Sequence, residues 1–60
     1  YRNVKLFETL MATLSAEIRL TVAADITSPD ELIVTRRVAE WRRLPMPNIE
    51  KRPTIFVLGI

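Results

Sequence analysis

The spacing of hydrophobic positions changes along the chain, and each spacing predicts a different element. Between residues 3 and 14, apolar side chains recur three and four positions apart, as on one face of an α-helix. Asn3 is placed to cap the start of that helix. From residue 17 to 26, apolar and polar positions alternate strictly instead. A period of two predicts a strand with one solvated face, with a helix as the alternative.

The segment that follows carries the strongest local signals for a helix, over residues 29–44. Ser28 precedes a proline and can accept a hydrogen bond from the first turn, and Glu31 stands at capping-box spacing. Two arginines lie where the last turn is expected, and prolines follow. Apolar residues on more than one side of this helix predict that it is covered on more than one side.

The last stretch, residues 54–60, is apolar at odd and even positions alike. That pattern is typical of a strand buried on both faces. A proline-rich connector over residues 45–53 leads into it on an extended path. We expect this strand to be covered partly by another chain, and these are its predicted partner-binding residues: Ile55, Phe56, Val57, Leu58 and Ile60.

Taken in order, these elements predict a small α/β unit of the form helix–strand–helix–strand, with α+β as the alternative. If the two strands pair in parallel, the helix between them makes a βαβ-like crossover. Two strands form a marginal sheet with an open edge, so we expect a partner chain or an oligomer to complete the unit.

Composition limits the chain to one small domain over residues 1–60, or to an excised segment of a longer protein. The apolar fraction of 48% is that of a globular chain. A domain of 60 residues is only marginally stable alone, and the sequence has no cysteine for disulfides and no histidine. Because the chain starts at Tyr1 and stops within an apolar run, the excised segment is the favoured interpretation.

The sequence contains few residues that could carry catalysis. Without cysteine or histidine, the usual activated nucleophiles and zinc ligands are absent, and we expect no catalytic residue, metal or cofactor. The run Val57-Leu58-Gly59 is similar to the strand before a phosphate-binding loop, but the second glycine and the lysine are missing. No membrane span and no signal peptide are visible, which favours an intracellular location.

Three functions remain open. The leading hypothesis is a non-enzymatic protein–protein interaction or assembly segment, acting as a homo-oligomer or as a subunit of a larger complex. The second is a small DNA- or RNA-binding module that uses the arginine-rich helix 29–44, although the net charge is only +2. The third is a βαβ fragment of a larger enzyme. The residues predicted to bind an anionic partner are Arg36, Arg37, Trp41, Arg42 and Arg43.

Overall fold

The computed structural model describes residues 2–59, which form two helices and one three-stranded sheet. In chain order the elements are α1 (Arg2–Thr13), β1 (Arg19–Ala24), β2 (Leu32–Arg37), α2 (Val38–Arg43) and β3 (Thr54–Gly59). The strands lie in the order β2-β1-β3, and both pairs are antiparallel. The predicted mixed class of helices and sheet is confirmed, as are the first helix and the first and last strands.

The predicted helix over residues 29–44 is wrong for most of its length. Residues 32–37 are strand β2, and only Val38–Arg43 are helical. The segment Leu-Ile-Val-Thr contains three β-branched residues in succession, which favour a strand. Leu32 and Val34 are half-buried against the core while Ile33 and Thr35 are exposed, so the period is two and not 3.6.

The predicted capping signals act in a loop instead. Ser28 Oγ accepts a hydrogen bond from the Asp30 N–H at 3.0 Å, and Glu31 Oε1 accepts one from the Thr27 N–H at 2.8 Å. These bonds close the connection between β1 and β2, in which Asp25 and Thr27 have positive φ angles of 51° and 69°. Short polar side chains can stabilise a turn by the same hydrogen bonds that cap a helix.

The predicted helix–strand–helix–strand order is therefore corrected, and the βαβ-like crossover joins β2 to β3 through α2 instead of joining β1 to β3. An additional strand, β2, precedes α2, and the order is helix–strand–strand–helix–strand. Strands β2 and β3 both run antiparallel to β1 and therefore run in the same direction, so α2 and the connector carry the chain back along the sheet from the end of β2 to the start of β3. Within residues 2–59, both pairs of hydrogen-bonded strands are antiparallel.

Both helices lie on one face of the sheet and cover the core. Phe7 of α1 makes an edge-to-face contact with Trp41 of α2, with ring centroids 5.7 Å apart. The Trp41 Nε1–H donates to the carbonyl oxygen of Leu20 at 2.9 Å, which satisfies the indole inside the core. The buried cluster comprises Phe7, Leu20, Val22, Ala24, Val38, Trp41 and Ile49.

The connector between α2 and β3 is part of this core. Ile49 is fully buried although it lies outside any helix or strand. Asn3, predicted as a helix cap, instead directs its side-chain amide nitrogen from within α1 to the carbonyl oxygens of Ile49 and Arg52. The first helix thereby fixes the path of the connector and, through it, the start of β3.

Candidate functional site

Strand β3 lies at the edge of the sheet and exposes apolar side chains on both faces. Among the strands formed by residues 2–59, it pairs with β1 alone. On the face away from the helices, Ile55 and Val57 are 54% and 53% exposed. On the helical face, Leu58 is 50% exposed, whereas Phe56 is half-buried against Phe7 with ring centroids 6.2 Å apart. An uncovered apolar edge strand is a template for pairing with another chain.

The backbone of β3 has a defined set of outward groups. The Asp25 N–H donates to the Pro53 carbonyl at 2.9 Å, so this residue pair is one of the hydrogen-bonded pairs of the β1–β3 ladder. In an antiparallel ladder such pairs alternate along the strand. The odd-numbered residues of β3 therefore bond to β1. The N–H and C=O groups of Thr54, Phe56 and Leu58 point away from the sheet.

Apolar surface continues from β3 onto α1. Leu6 is 49% exposed. By helical spacing it lies on the same flank of α1 as Asn3 and Leu10. That flank faces β3, because the Asn3 side-chain nitrogen lies 3.1 Å from the Thr54 hydroxyl. The outward edge of β3 is thus bordered by apolar side chains from two elements: Leu6, Ile55, Val57 and Leu58.

The start of β3 is fixed by Arg52. Its Nε donates to the Asp25 carboxylate at 2.6 Å, and its terminal nitrogens donate to the carbonyl oxygens of Asn48 and Asp30, each at 2.6 Å. The Arg52 and Asp25 side chains are only 19% and 22% exposed, so water screens this ion pair less than a surface pair. Arg52 therefore joins the β1–β2 loop, the connector and β3 at one point.

The sheet face opposite the helices changes in character along the strands. At one end Ile33, Ala23 and Ile55 stand side by side in register. In the middle, the hydroxyls of Thr21 and Thr35 are hydrogen-bonded at 2.7 Å. At the other end, two arginines are paired in register, Arg19 of β1 and Arg37 of β2. This open face is apolar near the β1–β2 loop and basic at its far end.

The opposite edge of the sheet differs from β3. Strand β2 ends in Arg36 and Arg37, which are both exposed. The Val38 N–H donates to Ile18, so by alternation the backbone of Arg37 points outward. Its N–H is already bonded to the Glu40 carboxylate at 3.2 Å. Charged side chains and an occupied N–H protect β2 against pairing with another strand.

The residues predicted to bind an anionic partner are divided between two elements. The Arg36 guanidinium carbon lies 6.0 Å from the centre of the Trp41 ring, and Trp41 itself is buried. Arg37 lies in β2, while Arg42 donates to the carbonyl oxygens that end α1. Arg43 is exposed on α2. The structure does not bring these five side chains onto one helical face.

Sequence reasoning missed two residues that shape the site. Arg52 and Ile49 lie in a segment predicted only as a proline-rich connector, and their contacts involve residues distant in sequence. The predicted partner-binding residues Ile55, Phe56, Val57 and Leu58 do lie together on β3, whereas Ile60 lies outside the described residues. No local pattern indicates the contacts of Arg52, because its carboxylate partner is 27 positions away.

The carboxylates offer no site for a metal ion in the part of the chain that the structure describes. Within residues 2–59 no three acidic side chains converge. Asp25 is bonded to Arg52, Glu31 closes the loop, and Glu40 accepts the Arg37 N–H. Three of the acidic side chains thus have structural partners.

No protein-family model matches the sequence, and a search of curated proteins gives no significant match. Neither helix formed by residues 2–59 combines the length and apolarity that crossing a membrane requires.

Proposed function

We propose that this chain is a non-enzymatic protein-association module that binds an extended segment of protein along the outer edge of β3. The single observation that carries the proposal is that one strand, β3, has both outward backbone groups and half-exposed apolar side chains. Backbone N–H and C=O groups of Thr54, Phe56 and Leu58 supply hydrogen bonds for strand addition. Ile55 and Val57 supply apolar contacts on the open face.

The stability of a small domain supports the same proposal. Within residues 2–59, its buried core cluster contains seven residues. Covering a half-exposed leucine, isoleucine or valine recovers roughly half of the 1.5–3 kcal/mol gained by complete burial. Small domains without disulfides or metals commonly obtain such stabilisation by association. A partner along β3 would cover apolar surface on both faces of the strand at once.

A second candidate function uses the basic end of the open face. Arg19 and Arg37 stand in register beside Gly59, where a phosphate backbone could approach without meeting a large side chain. The open face has no aromatic residue in the described strands for base stacking, so this function would be electrostatic and non-specific. Loss of RNA binding in an Arg19→Ala and Arg37→Ala variant, with Arg43→Ala unchanged, would support it.

The test of the proposed function is to block one backbone group without changing any side chain. Chemical synthesis gives the chain with an N-methyl group on the Phe56 nitrogen, which points outward and is not used by the β1–β3 ladder. Random octapeptides are selected on the unmodified chain, and their affinity is then measured on both chains. Circular dichroism verifies that the methylated chain is folded.

We expect the selected peptides to be extended and apolar at alternate positions, and to bind the methylated chain at least about tenfold more weakly. They should also slow hydrogen exchange at the amides of Thr54, Phe56 and Leu58. Failure to select any peptide that distinguishes the two chains would contradict the proposal.

A further inference from the structure

We infer that the segment bound along β3 is the β3 strand of a second copy of this chain, paired antiparallel about a twofold axis at Phe56. This inference rests on the proposed function and names its partner. Three independent features of the molecule support it: the symmetry of the outward backbone groups, the absence of charge on β3, and the protection of the other sheet edge.

The outward backbone groups of β3 are symmetric about Phe56. Thr54 and Leu58 lie two residues before and after it, and all three expose their N–H and C=O. An antiparallel copy centred there places Phe56 opposite Phe56, and Thr54 opposite the second copy's Leu58. Each of these pairs can exchange two hydrogen bonds, so every outward group of the strand has a partner.

The side chains of β3 are compatible with their own copies. Residues 54–59 carry no charge, so self-pairing meets no electrostatic repulsion. In the Phe56-centred register, Ile55 stands beside the second copy's Val57 on the open face. A twofold axis normal to the sheet keeps the helices of both copies on one side. The apolar flank of α1 that carries Leu6 therefore faces the flank of its copy.

The other edge strand cannot pair with itself in the same way. Self-pairing of β2 about Thr35, the middle of its outward residues, would place Arg37 opposite the second copy's Ile33, but the Arg37 N–H that this pair needs is occupied by Glu40. One edge of the sheet is therefore closed to a second copy while the other is open. The three-stranded sheets of two copies can join through β3 into one continuous sheet.

The experiment measures self-association of the 60-residue chain by sedimentation equilibrium over a dilution series, with two matched lysine variants. Ile55 of β3 and Ile33 of β2 both stand beside Ala23 on the open face, and both are 54% exposed. We expect a dimer for the unchanged chain and for Ile33→Lys. Ile55→Lys should raise the dimer dissociation constant at least about tenfold.

Cysteine substitutions then test the register. In the Phe56-centred pair, residues 55 and 57 of the two copies face each other at a non-hydrogen-bonded position, which is close enough for a disulfide. A mixture of Ile55→Cys and Val57→Cys chains should form a disulfide-linked heterodimer on mild oxidation. Neither variant alone should form a comparable homodimer.

Three results would overturn the inference. A monomer up to about 100 μM would exclude a second copy as the occupant, and peptide binding at β3 would show that the proposed function survives. Equal loss of dimer in both lysine variants would indicate stacking of open faces. Efficient cross-linking of Val57→Cys alone would place the twofold axis at residue 57, which pairs Phe56 with the second copy's Leu58 and excludes the Phe56-centred register.

Discussion

Replacing Arg52 by leucine tests whether one side chain holds the edge strand in place. Arg52 bonds to the Asp25 carboxylate and to the carbonyl oxygens of Asn48 and Asp30. Leucine retains much of the apolar stem but none of the donors. The Asp25 carboxylate, which is largely shielded from water, then loses its cationic partner.

The expected loss follows from these contacts. A hydrogen bond involving a charged group is worth roughly 1.5–3 kcal/mol, and solvent access at this site reduces the sum of several such bonds. We expect Arg52→Leu to lower the free energy of unfolding by about 2–3 kcal/mol. A domain of this size has a total of roughly 3–9 kcal/mol. The variant should therefore lose a large part of its stability.

The assay is urea unfolding followed by the fluorescence of Trp41, which is buried and 5% exposed in the folded chain. With a urea dependence near 1 kcal/mol per molar, the midpoint should fall by roughly 2–3 M. Unfolding is measured well below the dimer dissociation constant, so that association does not contribute. Arg43→Leu, an exposed arginine of α2, is the control and should change stability by less than about 0.5 kcal/mol.

A double-mutant cycle separates the ion pair from the carbonyl contacts. Asp25 has a positive φ of 51°, a conformation that asparagine also tolerates, so Asp25→Asn removes the charge without straining the turn. We expect a coupling energy between Arg52 and Asp25 of about 1–2 kcal/mol. A coupling near zero, or a loss below about 0.5 kcal/mol for Arg52→Leu, would refute the assigned role.

Two further changes test the connector and the turn. Ile49→Ala should lower the free energy of unfolding by about 2–5 kcal/mol, because Ile49 is fully buried, and a loss typical of an exposed loop residue would contradict that burial. Thr27→Gly should instead raise it by roughly 1 kcal/mol, because a β-branched residue is strained at a φ of 69°. Both are measured by urea unfolding, and destabilisation by Thr27→Gly would show that the strain is absent.

The elements whose sequence carries one clear local pattern were predicted correctly. The helical spacing of apolar residues in 3–14 corresponds to α1, and the strict alternation in 17–26 corresponds to β1. The apolar run at the end corresponds to β3. In each case local propensity and tertiary packing favour the same conformation, so the pattern alone is sufficient.

The helix predicted over residues 29–44 failed because two local signals conflicted. Ser28 and Glu31 occur at capping-box spacing, but their side chains can make the same hydrogen bonds in a turn. The β-branched residues that follow favour a strand. Pairing of β2 with β1 along six residues decided the competition, and that pairing depends on a neighbour that local sequence does not reveal.

The missed part of the site depends on contacts between distant residues. Arg52 reaches Asp25 across 27 positions, and Asn3 reaches the Thr54 hydroxyl across 51. A periodic sequence pattern cannot predict such contacts, because each of them involves a single side chain and not a whole face of an element. The apolar character of β3 could be predicted from sequence. That β3 forms an edge could not, because strand order follows from where β2 pairs.

The corrected position of the arginines changes the argument about assembly. On a helix, Arg36 and Arg37 would have formed part of a basic face, but on β2 they lie along a sheet edge. A sheet with two open edges can add copies at both and grow into a filament. Here only β3 is uncharged with free outward groups, while β2 carries the arginines and an occupied N–H. Pairing through β3 therefore covers the open edge of each copy, and association by this route stops at a dimer.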